Sequence, residues 1–470
     1  MIHNFDYIYL LGIGGAALTP IAKWYLWQGK KVFGYDRSPS ENTKNLESLG
    51  VKISYKDEID SIPEKILISK EKVLIIYTPS LGNNDPSSCK IFFHLSSFNF
   101  LFIKRSDFFL SLTKKHFTVA CAGTHGKTST TALLSHIAMK SSLKVVCFIG
   151  GKLKSYNDNF LYNCSPKDNY VIIVEADEYD RFFLSLHYDL AMVTTSDADH
   201  LDYYKSEKNF KEAFINFICF KKKQKKIFLH QNVYDDFEKE LSDKKNIFTY
   251  SLSDKSDVYT KNIIKKNEEY QFDYVGLKKE IFTIKTIFPG THQINNILGV
   301  ASIALEMGIS SNIIYESINS FPGVNRRFNI IYKSYRYIFI DDFAHHPREI
   351  NSLIDAVKDL YGDKKIFIIF QPHMYSRTKS FLSDFADSLA KSDAILLLDV
   401  YAAREKKIEG GTSLDLYHKI SIPDKFYKRS VSETLKYLDK KNHLEIILTV
   451  GAGDIFSKIS EEIISYLKRV

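Results

Sequence analysis

The sequence predicts an α/β protein of three domains: an N-terminal Rossmann-like domain, a central P-loop-type α/β domain and a C-terminal Rossmann-like α/β domain. Three observations carry this expectation. Apolar runs of strand length alternate with helical patterns through all three thirds of the chain, which favours mainly parallel sheets. Two of these runs end in glycine turns that open helices, at Gly12 and at Gly123. The length, 470 residues, exceeds what one hydrophobic core usually serves.

The first expected domain covers residues 1–110. Its opening strand, Tyr7 to Leu11, turns through Gly12, Gly14 and Gly15 into a helix, and a second strand, KVFGYD, ends at Asp36. Gly12-x-Gly14-x-x-Ala17 with an acidic residue some twenty positions on fits a nucleotide or sugar-nucleotide diphosphate turn. It does not establish NAD. A third strand, KVLIIYTPS, is expected to end at Ser80.

The second expected domain covers 113–325. The apolar run Phe117 to Ala120 reads as a buried strand, AGTHGKTST (122–130) as a loop, and TALLSHIAMK as a helix. Gly123 and Gly126 let backbone N–H groups approach phosphate oxygens, and the helix N-terminus adds unpaired donors and a positive dipole end. Lys127 can neutralise β/γ-phosphate charge, and the Thr128 hydroxyl can ligate Mg2+. Cys121 stands where the ordinary Walker A loop has glycine, and His125 precedes Gly126. A generic P-loop kinase or GTPase is therefore a poor fit.

VIIVEADEYD is expected to set Glu175, Asp177, Glu178 and Asp180 just beyond a strand end, where open α/β sheets place ligands. Glu175 is a candidate metal ligand, and Asp180 reads as a charged loop residue. LAMVTTSDADHLD repeats the pattern with Asp197, Asp199, His200 and Asp202. Residues 235–279 are charged and poorly patterned. FPGTHQINNILGVASIALEMGI then reads as a turn into a helix with Ile294, Ile297, Leu298 and Ala301 on one face. The Pro-Gly pair of FPGVNRRF (321–328) marks a turn or hinge, and its Arg326 and Arg327 either reach a nucleotide phosphate or cap an interface.

The third expected domain covers 329–470, with strands YIFIDDF, KIFIIF, AILLLDV and EIILTVGAG. In DDFAHHPRE, His345 and Asp342 are candidates for substrate contact, and His346 before Pro347 reads as structural. In FQPHMYSRT, His373 and Arg377 lie four residues apart and can share a helical face.

Composition narrows the class. Apolar residues make up 44%, as in ordinary globular proteins. The net charge of +8 spreads over a mixed surface, and KKKQKK (221–226) lacks the aromatic or glycine-rich surroundings of a nucleic-acid patch. No nucleic-acid partner is expected. Five widely spaced cysteines with no CxxC argue for reduced thiols rather than disulfides or a zinc ribbon. The N-terminus lacks a signal-peptide pattern, and the most apolar stretch, Ile91 to Ile103, is too short to span a bilayer. A cytoplasmic protein without membrane insertion is expected.

With these pieces in order, the chain resembles the Mur ligase family. The resemblance runs nearly end to end through GIGGAAL, IKRSD, AGTHGKTSTT, EADEYD, DADHLD, FPGVNRRF, DDFAHHP, FQPHMYSRT, DVYAAREKKIEG and GAGDI. It implies three α/β domains that take a UDP sugar, ATP and an amino acid in turn, and a ligase using ATP and Mg2+. The FQPH-x-x-x-RT run points to a member that joins L-alanine to UDP-N-acetylmuramate, rather than one that recycles a preformed tripeptide. By the resemblance, Gly12, Gly14, Gly15, Asp36 and Arg105 would hold the UDP sugar. Gly123, Thr124, His125, Gly126, Lys127 and Thr128 would hold ATP, with Asn296 on adenine and Arg326 approaching from the hinge. Thr128, Glu175 and His200 would ligate metal ions. His345, His373 and Arg377, with Lys127, would surround the reacting groups, in a monomer or a homodimer. Two positions depart from the family pattern: Gln293 in the adenine motif His292-Gln293-Ile294-Asn295-Asn296, and Thr195 where asparagine is common.

Overall fold

The computed structural model describes every residue except 1, 3, 80, 82–84, 200, 221–224, 242–244, 404, 442–443 and 470, with backbone only at 201 and 202. The first sheet is five-stranded and wholly parallel, in the order Lys52–Ser54, Lys31–Tyr35, Tyr7–Leu11, Val73–Tyr77, Leu101–Lys104. Its central strand YIYLL is apolar at every position because both faces are covered. Ile8 and Leu10 enter one apolar cluster, and Tyr9 and Leu11 another. The third expected strand stops at Tyr77, short of Ser80, which lies outside the described residues.

The second sheet has seven strands, ordered Ile247–Tyr250, Lys226–His230, Leu190–Val193, Thr118–Ala122, Val171–Ala176, Val145–Leu153, Asp158–Tyr162. All pair in parallel except the last, which closes an antiparallel hairpin. Thr118–Ala122 lies mid-sheet, so its end points the loop after it at the switch of strand order. A three-stranded sheet follows, Tyr259–Lys266, Glu269–Val275 and Ile281–Thr286. These residues fall largely in the stretch that reads as poorly patterned. The middle strand buries Tyr270, Phe272 and Tyr274 on one face, while Glu269, Gln271 and Asp273 at the alternate positions are polar and mask the pattern.

The last sheet has six strands: Asn329–Lys333, Ile338–Asp342, Ile446–Val450, Ile366–Phe370, Ala394–Leu397 and Asp424–Tyr427. The first pairs antiparallel and the rest are parallel. Its two outer strands go beyond the four expected, because NIIYK and DKFY carry too few fully buried positions to read as apolar runs.

The chain packs as two compact units. One comprises residues 1–262, 272–284 and 295–322, the other 263–271, 285–294 and 323–470. Within the first, a continuous apolar cluster runs from Ile8, Leu10 and Trp24 through Phe108 and Phe109 to Phe148 and Val174, joining the five-stranded and seven-stranded sheets. An ion pair at 2.7 Å between buried Lys23 and half-buried Asp158 crosses the same junction. All five cysteines are free, and no described helix is long and apolar enough to cross a membrane.

One buried group gives this unit a pH dependence. His136, on helix Lys127–Lys140, is 4% exposed and packs on Phe321 at 5.5 Å between ring centroids. Burial, with Lys140 acting in the same direction, lowers its pKa to about 4. The unfolded chain therefore takes up a proton that the folded chain refuses, and stability is lost as pH falls from about 6.5 toward about 4. Urea unfolding is expected to show the protein losing about 2 kcal/mol more between pH 7 and pH 5 than the His136→Leu variant. Equal losses would exclude His136 as the source.

Candidate active site

The glycine loop after Thr118–Ala122 packs closely against its neighbours. Gly123 has φ +128°, and a Cβ there would strike Thr194 Oγ1 and lie 2.9 Å from the backbone nitrogens of Thr194 and Thr195. Gly126, at φ +83°, forms the N-cap of helix Lys127–Lys140, and a Cβ on it would come within 3.2 Å of the Asn296 amide. The loop hangs from the next strand's end. Thr124 N donates to Thr195 O (3.1 Å), His125 N to Thr195 Oγ1 (2.8 Å), and Thr124 Oγ1 to Asp197 O (2.7 Å). Thr194 Oγ1 also donates to His125 O. Thr195 thus supplies a polar contact to the loop although it is not the family's usual asparagine.

Lys127 reaches back over this loop. Its Nζ lies 3.1 Å from Thr124 O and 2.7 Å from the carboxylate of Glu178, which is 1% exposed. Burial opposes the ammonium charge, but Glu178 and Asp177 outweigh it and hold the pKa above the ordinary lysine value. Thr128 Oγ1 donates to Glu175 Oε1 at 3.0 Å, and the other Glu175 oxygen accepts from Gly150 N at 2.7 Å. Burial pushes the Glu175 carboxyl up, with Lys127 pulling against it. Glu175 sits inside its strand, in register with Cys121, rather than beyond its end.

A cavity of about 210 Å3 opens beside Glu175. Its wall includes Ala16, Ala17 and Pro20 after the first glycine turn, together with Arg105, Phe182 and Gly150. At that turn Gly14 N donates to Asp36 Oδ2 (2.7 Å), and Asn42 Nδ2 to Gly14 O (2.9 Å). Arg105 is 8% exposed, over the Phe182 ring, with its guanidinium 2.9 Å from Asp180 and 3.5 Å from Asp177. Asp180 is therefore no solvated loop charge. It is a half-buried ion-pair partner, and both it and Arg181 adopt left-handed backbone (φ 52° and 58°) to make the turn.

The second unit carries the other predicted residues. His345 Nδ1 lies 3.0 Å from Phe343 O, and its ring is 6.0 Å from that of His373. Arg377 Nη1 meets His373 Nδ1 at 3.3 Å. His373 is not on the helix of Arg377, which spans Tyr375–Ser380. The two meet because Met374, at φ 72°, bends the chain between them. His346 caps helix Pro347–Tyr361, accepting from Arg348 N. Asp342 is a brace rather than a substrate contact: its oxygens accept from Phe328 N (2.6 Å) and Ala344 N (2.8 Å), and burial raises its pKa to about 6. Arg326 spends its donors inside this unit, on Asp341 (3.1 Å), Gly453 O (2.8 Å) and Gly451 O (2.6 Å).

Three family models match in order: "Mur ligase family, catalytic domain" over 7–83, "Mur ligase middle domain" over 121–304 and "Mur ligase, glutamate ligase domain" over 326–453. A UDP-N-acetylmuramate–L-alanine ligase of Christiangramia forsetii is 35% identical over 98% of this chain and 97% of its own length. The chain belongs to the Mur ligase family. Another ligase of that name, from Flavobacterium psychrophilum, is 38% identical over 97% of this chain and 96% of its own. The crystal structure of a UDP-N-acetylmuramate–alanine ligase from Thermotoga maritima shares the fold, with a TM-score of 0.79 at 24% identity over 99% of this chain and all of that one. Membership brings ATP use.

Within this Mur ligase framework, Glu178 and Gly150 are the contacts that sequence reasoning missed. The Gly150-Gly151 pair was the available signal, since glycine in a strand marks close approach of another group. Nothing in EADEYD distinguishes Glu178 from its acidic neighbours. His200 lies outside the described residues, as do residues 221–224 of the lysine cluster.

Proposed function

We propose that this chain joins L-alanine to the carboxylate of UDP-N-acetylmuramate, consuming ATP and giving UDP-N-acetylmuramoyl-L-alanine, ADP and phosphate, in peptidoglycan synthesis. The observation that carries this reading is the shared wall at Glu175. One side of that carboxylate belongs to the phosphate loop, and the other to a cavity bounded by the first glycine turn's helix and Arg105. That shared wall supports a reading in which a nucleotide's γ-phosphate and an anionic sugar nucleotide meet there.

A carboxylate is a poor electrophile. Transfer of the γ-phosphoryl group to it gives an acyl phosphate and ADP. The alanine amine then attacks the acyl carbon, and phosphate leaves as the amide forms. Lys127 neutralises charge on the transferred group, and the loop amides and helix N-terminus orient it, so the protein contributes positioning and electrostatics without a nucleophile of its own. No group of three or more His, Cys, Asp or Glu side chains among the described residues could hold a metal ion. Mg2+ needs less, because one or two protein ligands suffice when phosphates and water complete the shell. Thr128 and Glu175, 3.0 Å apart, fit that role, with His200 as the further ligand expected from sequence. When bound, Mg2+ would offset phosphate charge.

By the same reading, residues 1–110 take the UDP sugar, 113–325 take ATP and 329–470 take the amino acid, in the cytoplasm. Asn296, beside Gly126, is proposed for adenine. Arg105 and the turn at Gly12, Gly14 and Gly15 are proposed for the sugar nucleotide, and His345, His373 and Arg377 for alanine. The test is phosphate release from ATP, Mg2+ and UDP-N-acetylmuramate with and without L-alanine, with the product mass measured. Alanine-dependent release and the amide mass are expected. Release only with a preformed tripeptide would move the activity to peptide recycling, and silence with both would sink the ligase reading.

A further inference from the structure

The run DVYAAREKKIEG has no role in the chemistry above, yet it is built around His373. Tyr401 forms an isolated parallel bridge with His373. Met374 N donates to Tyr401 O at 3.0 Å, and Tyr401 N to Pro372 O at 2.8 Å. The Tyr401 ring stacks on the His373 imidazole, with centroids 5.6 Å apart and planes 13° apart. Gly453 packs against that ring, and a Cβ there would lie 2.7 Å from Tyr401 Cγ. Four residues on, Glu405 accepts from Ser376 N at 2.9 Å and from the Ser376 hydroxyl, gripping the first turn of the short helix that carries Arg377. Gly411 presses on Tyr375 O, where a side chain has no room.

These contacts converge on a segment that would not hold its shape unaided. Helix Tyr375–Ser380 has six residues and no side-chain N-cap of its own, and it begins after a non-glycine residue at φ 72°. Such backbone persists only where its surroundings impose it. We propose that Tyr401 and Glu405 are positioning residues for the alanine site, Tyr401 fixing the plane of His373 and Glu405 fixing the helix that presents Arg377. The inference rests on the assignment of His373 and Arg377 to alanine. Tyr401 acts through His373 and takes no part in the bond changes. Stacking requires only the ring, so phenylalanine should replace it and alanine or leucine should not.

The experiment is steady-state kinetics of Tyr401→Ala, Tyr401→Leu, Tyr401→Phe and Glu405→Gln, with each of the three substrates varied and thermal melts alongside. Tyr401→Ala and Tyr401→Leu are expected to raise the KM for L-alanine by about tenfold or more, as small misplacements of a positioning group do. The KM values for ATP and UDP-N-acetylmuramate should hold within about twofold, and Tyr401→Phe should behave as the parent. Glu405→Gln, which keeps one acceptor, should give a smaller rise in the same constant. An unchanged alanine KM in Tyr401→Ala, or equal changes in all three constants, would overturn the proposal while the ligase reading stands. If the parent itself shows no alanine-dependent turnover, the ligase reading fails, and this inference falls with it. A Tyr401→Ala variant that no longer melts cooperatively leaves Tyr401→Leu to decide, since it retains bulk without the stacked ring.

Discussion

Lys127→Ala is expected to cut alanine-dependent phosphate release by about 10²–10³-fold or more, with UDP-N-acetylmuramate still bound. The ammonium reaches back over the glycine loop, held between Thr124 O and Glu178. Removing it takes away the charge that would meet the γ-phosphoryl group as it transfers. It also takes from Glu178, 1% exposed, its 2.7 Å ion-pair partner, and breaking a buried pair from one side costs about 3–5 kcal/mol of stability. Activity and folding must therefore be separated. The Lys127→Ala/Glu178→Gln double variant removes both charges of the buried pair, so its melting temperature should recover toward the parent while its turnover stays low. Normal turnover in Lys127→Ala would remove the phosphate-loop assignment. Recovery of turnover in the double variant would show that the single substitution acted through stability alone.

Glu175→Ala is the second large effect, with an expected fall in kcat of about 10²-fold and a higher Mg2+ requirement. One Glu175 oxygen takes the Thr128 hydroxyl and the other takes Gly150 N, so a single side chain ties the loop, the neighbouring strand and the cavity wall together. Its loss frees Thr128 and leaves the Gly150 amide without its acceptor. Mn2+ binding in the presence of ADP, followed by electron paramagnetic resonance, gives a readout besides turnover, and the variant should bind the ion more weakly. An unchanged Mn2+ affinity together with an unchanged Mg2+ dependence of kcat would take Glu175 out of the metal site.

Much of this was legible in the residues because it is local. Thr118–Ala122, the glycines at 123 and 126 and the helix from Lys127 follow from apolar pattern and left-handed backbone, both properties of contiguous chain. The N-terminal turn at Gly12 was legible for the same reason. Its place after an apolar run made Glu175 a candidate, and a family motif did the same for Arg105. Their partners were less legible, since Glu178 and Asp180 sit in a run of acids that looks like a solvated loop until burial distinguishes them. The hairpins after residue 258 escaped notice because half-buried strands on a charged surface leave a weak alternation.

By itself, then, the sequence determined the α/β class, the two glycine turns and, through its motifs, the family. These depend on order along the chain, which periodicity and spacing record directly. Only the tertiary structure decided which acid neutralises Lys127, that Thr194 and Thr195 suspend the loop, that Asp180 pairs with Arg105, that Asp342 braces backbone, and that Tyr401 stacks on His373. Apart from the local bond of Asp342 to Ala344 N, each of these pairs residues at least 14 positions apart in sequence. Whether two such groups meet is set by strand order and crossover connections, and whether a charge is paired or solvated is set by the burial that packing creates.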